Sequence, residues 1–430
     1  MSGARAIGPA GTGSPLGTGG ATFHAPVPVR RGWRELVRVW WSEIDRVLLF
    51  LIILLMAVGT AAVLAASPAS ADQLSTSQVT VDSFKFLKRH IVFLCAGFAG
   101  MIAVSLASRD DARRLAILVA LIMFVALLLV PVIGVEKKGA IRWLNVGMSL
   151  QPSEFLKPGF AIALAWILSW RLRDPHLPVF WFATGITLAI GSLLMLQPNL
   201  GETLLFAGTW FVLIFLSGIA MWKIAGIIAL GASGFGLVYV LYENGRNRVD
   251  AFLGGGTAFD QVDLAHRTLL NGGWFGNGLW LGNRKYSLPE AHTDYIFSVI
   301  GEEGGLIACA AIVVLYLAIV ARVLIRLSSE DNIFALLAGT GLIAQFGGQA
   351  FINIAVNLKL APATGTTLPL ISYGGSSMLA VCFTLGLLLA ITRRNPYLER
   401  DLPGLRNPFE RRLARREAND RPNDRKEPAA

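Results

Sequence analysis

The sequence predicts an all-α integral membrane protein: a polytopic bundle of about ten transmembrane helices, with a large extracytoplasmic loop between spans seven and eight. Three observations carry that prediction. Apolar residues fill 54% of the 430 positions and charged residues only 15%, against roughly 25% charged in ordinary soluble domains. The apolar residues come in blocks long enough to cross a ~30 Å hydrocarbon core at about 1.5 Å of rise per helical residue. The net charge of +10 is unevenly shared between the segments joining those blocks, as the positive-inside rule requires.

In chain order, residues 1–32 are rich in Gly, Pro, Ala and Thr, and are expected to form a disordered cytoplasmic tail. Over 33–46, Trp33, Leu36, Val37, Trp40, Trp41 and Ile44 recur at helical spacing, with Arg34, Glu35, Arg38 and Glu43 opposite. That pattern predicts an amphipathic helix in the membrane interface; a plain extension of the first span is the alternative. Apolar blocks at 47–66, 90–107, 115–134, 155–170, 179–196, 201–218, 222–242, 300–323, 334–356 and 374–392 are the expected spans of a domain covering 47–394. The first block starts only at Val47, so it reads as an uncleaved anchor rather than a signal peptide. Residues 395–430 form a basic cytoplasmic tail, suited to charge anchoring on anionic membrane lipid or to docking a partner.

Most of the 38 Lys and Arg residues fall in the segments that ten spans with both termini inside place in the cytoplasm. The reverse orientation would invert this bias. The basic excess is therefore a topology signal, not a nucleic-acid footprint. Cys95, Cys309 and Cys382 are far apart and all lie in apolar blocks, so they read as small core residues. The five His residues are equally scattered, which argues against a His/Cys metal site.

Two outer connections, 135–154 and 243–299, are longer than turns require. Periodic apolar positions near 261–270 predict short surface helices in the larger one. The smaller carries Gly139-Ala-Ile-Arg142-Trp143-Leu-Asn145-Val-Gly147, then Gln151-Pro-Ser-Glu154-Phe-Leu-Lys157. Glu154 and Lys157 are three apart, so they share a helix face at the bilayer entrance. Charges there usually face a cavity or each other. One reading is a structural ion pair with Trp143 as a belt anchor; the other is a cationic recess of Arg142 and Lys157 that holds a lipid-linked phosphate.

His292 and Asp294 precede span eight, and Glu302 and Glu303 lie about two turns further in. Paired acids in a membrane helix suit a polar cavity, a proton-sensitive element or a divalent cation such as Mg or Mn; the plainer reading is helix-end capping by Asp294 and buried hydrogen bonds. Gln345, Gln349, Asn353 and Asn357 repeat every four residues along span nine. Such amides join helices more often than they bind substrate. The stretch from Ser372 to Ser377 should be a re-entrant turn buried in protein. Gly276-Asn-Gly278 follows no predicted strand, so it carries no phosphate-loop reading.

These motifs resemble the shape, elongation, division and sporulation family, the FtsW/RodA membrane proteins. Beside the Gly139–Lys157 string, the resemblance rests on Gln197-Pro-Asn-Leu-Gly201, on Pro289-Glu-Ala-His292-Thr-Asp294 with Gly301-Glu302-Glu303, and on Pro369-Leu-Ile-Ser372-Tyr-Gly374. Asn145 and the long N-terminal extension favour the FtsW branch. The resemblance implies a peptidoglycan glycosyltransferase of the bacterial inner membrane, acting at the division septum. It would polymerise lipid II into glycan strands and release undecaprenyl pyrophosphate. A class B penicillin-binding protein, the septal transpeptidase, and other divisome proteins are the implied partners. A lipid II flippase and a divisome scaffold are the alternatives.

That chemistry needs a general base for the attacking sugar hydroxyl and fixed positive charge, or a divalent cation, for the leaving pyrophosphate. The family's proposed catalytic Asp lies between an Arg-Val-x-x-Phe-Leu start and a Gln. Here that stretch opens at Arg248 and departs from the pattern, because Gly254-Gly-Gly replaces the usual Asn-Pro. Asp260, directly before Gln261, is the only carboxylate between Leu253 and Gln261, and is the expected base, with Asp263 and Asp250 as rivals. By the same resemblance Arg142, Trp143, Glu154, Lys157, Arg248, His292, Asp294 and Ser372 are expected to bind substrate.

Overall fold

The computed structural model describes residues 33–393 apart from 76–79, 138–139, 146, 148, 173, 175, 198, 219–220, 242, 244–245, 247–249, 251–253 and 255–258. Both expected tails and Arg248 therefore lie outside the described residues. Twelve α-helices are present among those described: α1 Trp33–Glu43, α2 Arg46–Leu74, α3 Lys85–Ser105, α4 Arg109–Ile133, α5 Pro152–Ser169, α6 Val179–Leu196, α7 Leu200–Leu216, α8 Met221–Leu241, α9 Phe259–Asn271, α10 Ile296–Leu327, α11 Ile333–Asn357 and α12 Gly375–Thr392. Each of the ten expected apolar blocks falls on one helix, α2 to α8 and α10 to α12. Seven of them (α2, α3, α4, α6, α10, α11 and α12) are long and apolar enough to cross a membrane. The chain is thus a multi-pass membrane protein. The first turns of α5 carry Glu154 and Lys157, so α5 is less uniformly apolar than its neighbours.

Local chemistry sets several helix starts. Asp45 caps α2 by accepting from the Val47 and Leu48 amides, both at 3.1 Å. Ser108 caps α4, whose first turn holds Asp110 and Asp111 at the positive end of the helix dipole. Asn332 caps α11 at 3.1 Å from the Ala335 amide, and Pro152 opens α5, where its missing N–H costs nothing.

α12 lies at the centre: 83% of its apolar window is buried, against 17% for α3 and for α4, which sit at the periphery. α12 packs on α3, α5 and α11, while α4 lies along α5. A Cβ added to Gly386 would fall 2.8 Å from the Met101 carbonyl oxygen, so glycine permits the close α3–α12 approach. Cys309 and Cys382 are buried as expected, but Cys95 is exposed on α3, because the outer face of a membrane helix is as apolar as its core.

α1 has the predicted amphipathic pattern, yet part of its apolar face is covered by protein. Trp40 is buried and donates from Nε1 to Ser105 Oγ at 2.9 Å, whereas Val37 and Trp41 are exposed. Glu43 and Asp45 then pair with Arg393 and with Arg322 and Arg326, fastening the start of the chain to the ends of α10 and α12.

Two departures from an all-α reading matter for function. First, the 135–154 connection holds a small antiparallel sheet, β1 Val135–Lys137, β2 Ala140–Asn145 and β3 Ser149–Leu150, in the order β1-β2-β3. Val135 faces Trp143, and Leu144 faces Leu150. Second, α10 is two half-helices meeting at Gly305, where φ is +74°. A broken helix in a membrane leaves backbone groups that need partners. The 272–278 loop supplies them: the Asn277 and Gly278 amides donate to the Glu302 and Glu303 carbonyls, and the Leu306 and Ile307 amides donate to the Gly273 and Trp274 carbonyls. A side chain on Gly276 would overlap the Glu303 carbonyl, so the Gly276-Asn-Gly278 stretch exists to dock against this break.

Candidate active site

The charged pair read from the sequence is the nucleus of a larger buried cluster. α5 places the Lys157 ammonium 2.7 Å from Glu154 Oε2, and α7 brings Glu202 Oε1 to 3.2 Å. α11 adds Gln349, whose Oε1 accepts from Lys157 at 2.8 Å, while Gln345 Nε2 donates to the Lys157 carbonyl. Lys157 and Glu154 are each 5% exposed. Lys157 therefore does not front an open cationic recess, and of the two readings the ion pair is the one the geometry carries. Two carboxylates around one ammonium leave one negative charge in excess in a dry setting, where an unpaired charge is costly.

Arg142 relieves that excess from the edge. It lies on β2, half-buried, donates from Nε to the Gln197 carbonyl at 3.0 Å, and its positive charge bears on Glu202. The neighbouring Trp143 is half-buried and pairs across to β1. Arg142 is thus the half-exposed cation beside the buried cluster. Glu202 was not singled out from sequence, although an acid inside an apolar block was the available signal.

The amides of α11 hold the non-helical 361–374 segment against the start of α10. Gln349 donates to Thr367, Asn353 to the Thr366 and Asp294 carbonyls, and Asn357 to the Asp294 carbonyl. Ser372 Oγ accepts from the Leu368 amide and donates to the Thr293 carbonyl at 2.6 Å. The His292 ring stacks on Phe86 at 4.1 Å and lies 5.4 Å from Tyr373. Ser372 is buried and engaged, so its expected substrate contact gives way to a stitching role, and the expected turn over Ser372–Ser377 is non-helical only to Gly374, since Gly375–Ser377 already form the first turn of α12. His292 is likewise wedged between rings, while Asp294 contributes its backbone carbonyl to the stitch and is half-buried.

Glu302 and Glu303 do not form a metal site. Glu302 accepts from the Arg284 and Lys285 amides and from Asn271. Glu303 accepts from the Trp280 amide and pairs with Lys285, which is fully buried and also donates to the Ala65 carbonyl. Both Glu302 oxygens and Glu303 Oε1 are spent on the loop, and only Glu303 Oε2 is left without a hydrogen bond, too few free oxygens for a bound divalent cation. No group of three or more His, Cys, Asp or Glu side chains that could hold a metal occurs among the described residues.

The three rival carboxylates fall in different surroundings. Asp260 is the second residue of α9, and its side chain lies outside the described residues. Asp263 is bound by Arg267 at 2.6 Å and by Lys359 at 3.4 Å. Asp250 accepts from the Tyr239 hydroxyl at 3.1 Å.

The signature of the FtsW/RodA/SpoVE family, described as cell cycle protein, matches residues 45–397. The chain belongs to this family. It is 36% identical over 365 residues to the probable peptidoglycan glycosyltransferase FtsW of Caulobacter vibrioides, covering 84% of this chain and 93% of the relative. A Geobacter metallireducens protein of the same name is 35% identical over 363 residues, covering 80% and 94%. Among solved structures, a chain from a peptidoglycan synthase complex that coordinates polymerization and crosslinking matches with a TM-score of 0.65 and 29% identity, over 81% of this chain and 97% of that one. The rod shape determining protein RodA of Thermus thermophilus matches with a TM-score of 0.60 and 28% identity, over 82% and 97%. The family motifs identified in the sequence are therefore spread through one membrane fold, with the buried Glu154–Lys157–Glu202 cluster near the starts of α5 and α7.

Proposed function

We propose that this protein is a peptidoglycan glycosyltransferase that polymerises lipid II into glycan strands at the division septum. It sits in the bacterial inner membrane with both termini in the cytoplasm and works with a class B penicillin-binding protein and other divisome proteins. The reading rests on family membership across 45–397, together with a built cluster of charge beside the outer β2 segment.

In the reaction, the acceptor 4-hydroxyl attacks the anomeric carbon of the donor. The new glycosidic C–O bond forms as the bond to the pyrophosphate oxygen breaks, with inversion. Asp260 takes the hydroxyl proton, and undecaprenyl pyrophosphate leaves with the bonding pair. Arg142 donates to the developing pyrophosphate charge, where preorganised donors act most strongly. Trp143 and Arg248 are the further substrate-binding residues of this reading. Lys157 and Glu154 act through position: they lock α5, α7 and α11 so that β2 presents Arg142.

In the flippase alternative, the polar stripe of amides on α11, with Glu154 and Lys157, would suit a transport path. Those amides are engaged with Lys157, Thr366, Thr367 and Asp294, so nothing in their geometry favours it. The test is polymerisation of labelled lipid II by the purified full-length protein with its penicillin-binding partner. Glycan strands longer than the input are the expected product. Transfer of lipid II between leaflets with no polymer would overturn the proposal.

A further inference from the structure

At the end of the bundle where α4 begins, α5 ends and α11 begins, a cavity of about 550 Å³ opens, lined by Arg109, Asp110, Arg113, Trp166, Trp170 and Phe334 among others. Its size lies within the roughly 300–1,000 Å³ range of small-molecule sites, and the activity proposed above makes no use of it. The charge bias of the chain assigns this end to the inner face.

The lining has a definite chemistry. Arg113 lies over two aromatic faces, 5.4 Å from Trp166 and 5.5 Å from Phe334, and is paired at 3.0 Å with the exposed carboxylate of Asp110. A guanidinium has five N–H donors, and one such pair leaves most of them for a ligand. Arg109 is bound through both terminal nitrogens to Glu330, at 3.0 Å each, and also to the Arg393 carbonyl. Asp110 and Glu330, the latter behind the lining, thus balance the two arginines, so these four side chains carry no net charge while Arg113 and Asp110 set opposite charges side by side in the cavity. Trp166 and Trp170 meet edge to face at 5.0 Å, as residues of a membrane-interface belt do.

Further along α4 from the cavity, Leu118, Leu121, Ile122 and Val125 are all exposed and form an apolar stripe on the outside of the bundle. A ligand seated here has its polar group in the cavity and its apolar part along α4.

From this we infer that the cavity binds the headgroup of an inner-leaflet glycerophospholipid, with its phosphate on Arg113 and its ammonium on Asp110. A neutral, dipolar pocket matches a zwitterionic headgroup better than a net-anionic one. Phosphatidylethanolamine, whose ammonium keeps N–H donors for Asp110, fits better than phosphatidylcholine.

Native mass spectrometry of the full-length protein, titrated with phosphatidylethanolamine, phosphatidylglycerol and phosphatidylcholine, tests this. Phosphatidylethanolamine should be retained most tightly. Arg113→Gln should weaken it by about tenfold, the equivalent of one charge-assisted hydrogen bond, and Arg113→Lys should restore part of the loss. Asp110→Asn alters an exposed carboxylate at the α4 start and is expected to lower the melting temperature only slightly. It should erase the preference over phosphatidylglycerol, and so keeps the idea testable if Arg113→Gln folds poorly. Equal retention of the three lipids, tighter phosphatidylglycerol binding, or binding unaffected by both substitutions would overturn the assignment. Displacement of the lipid by millimolar free phosphoethanolamine or inorganic phosphate would also overturn it, reassigning the cavity to a soluble phosphate.

Discussion

Lys157 and Lys285 are both buried lysines set among glutamates, yet they do different work. Lys157 meets side chains: Glu154 from its own helix, Glu202 from α7 and Gln349 from α11. Lys285 meets Glu303 and the Ala65 carbonyl, while the adjacent Glu302 accepts backbone amides of the loop that carries Lys285. The first cluster joins three membrane helices beside the half-exposed Arg142. The second closes the break in α10 and holds the loop that carries Lys285 in place. Identical residue types thus take different parts according to whether they join helices beside Arg142 or pin a loop to a break in a helix.

Substitutions can break this contrast. The largest effect is expected from Asp260→Asn, which should cut glycan synthesis by about 10²–10⁴-fold, the usual worth of a general base, with melting unchanged. Activity and melting measured on one preparation check it, and near-normal polymer would move the base to Asp263 or Asp250. Lys157→Met leaves Glu154 and Glu202 without their cation. It should cost about 3–5 kcal/mol, as breaking a buried pair does, and should abolish synthesis even well below its melting temperature.

Lys285→Met should cost a similar ~3–5 kcal/mol but spare synthesis per folded molecule in the cold. If its low-temperature activity were as dead as that of Lys157→Met, the contrast between the two clusters would fail. Glu202→Gln keeps an acceptor for Lys157 and removes one excess charge, so a loss within about 1 kcal/mol and a few-fold change in rate are expected. A much larger loss would make Glu202 as essential as Glu154.

The smallest effect is pH-dependent and lies at the opposite end of the bundle. Burial works to raise the Asp45 carboxyl, but hydrogen bonds from Arg322 and the Leu48 amide, with the charge of Arg326, hold it below its ordinary 3.8. A carboxyl lowered on folding contributes stability above its unfolded value and loses it as pH falls through the lower native one. Melting should therefore decline below about pH 4, and Asp45→Asn should flatten that decline. An unchanged slope would show that the Asp45–Arg322–Arg326 contacts carry no acid-sensitive stability.

The helices were legible because membrane spans are written in composition: every expected block became a helix, and hydrophobic length needs no tertiary knowledge. Glu154 and Lys157 could be paired from their spacing alone, since neighbours three apart on a helix meet wherever the helix lies. The β1–β3 sheet was not visible in the 135–154 connection, because strands this short are defined by their pairing rather than by a periodic pattern. Cys95 was misread as core because a lipid-facing side chain is as apolar as a buried one.

By itself, then, the sequence determined that the chain is a multi-pass helical membrane protein, which motifs it carries and which charges lie close along one helix. Only the tertiary structure decided that Glu202 joins Lys157, that Lys285 is buried on Glu303, and that Glu302 and Glu303 serve a helix break rather than a metal. Those contacts join residues 17 or more positions apart. Whether a charge in such a place is solvated, paired or spent on backbone depends on which helices the fold brings alongside it.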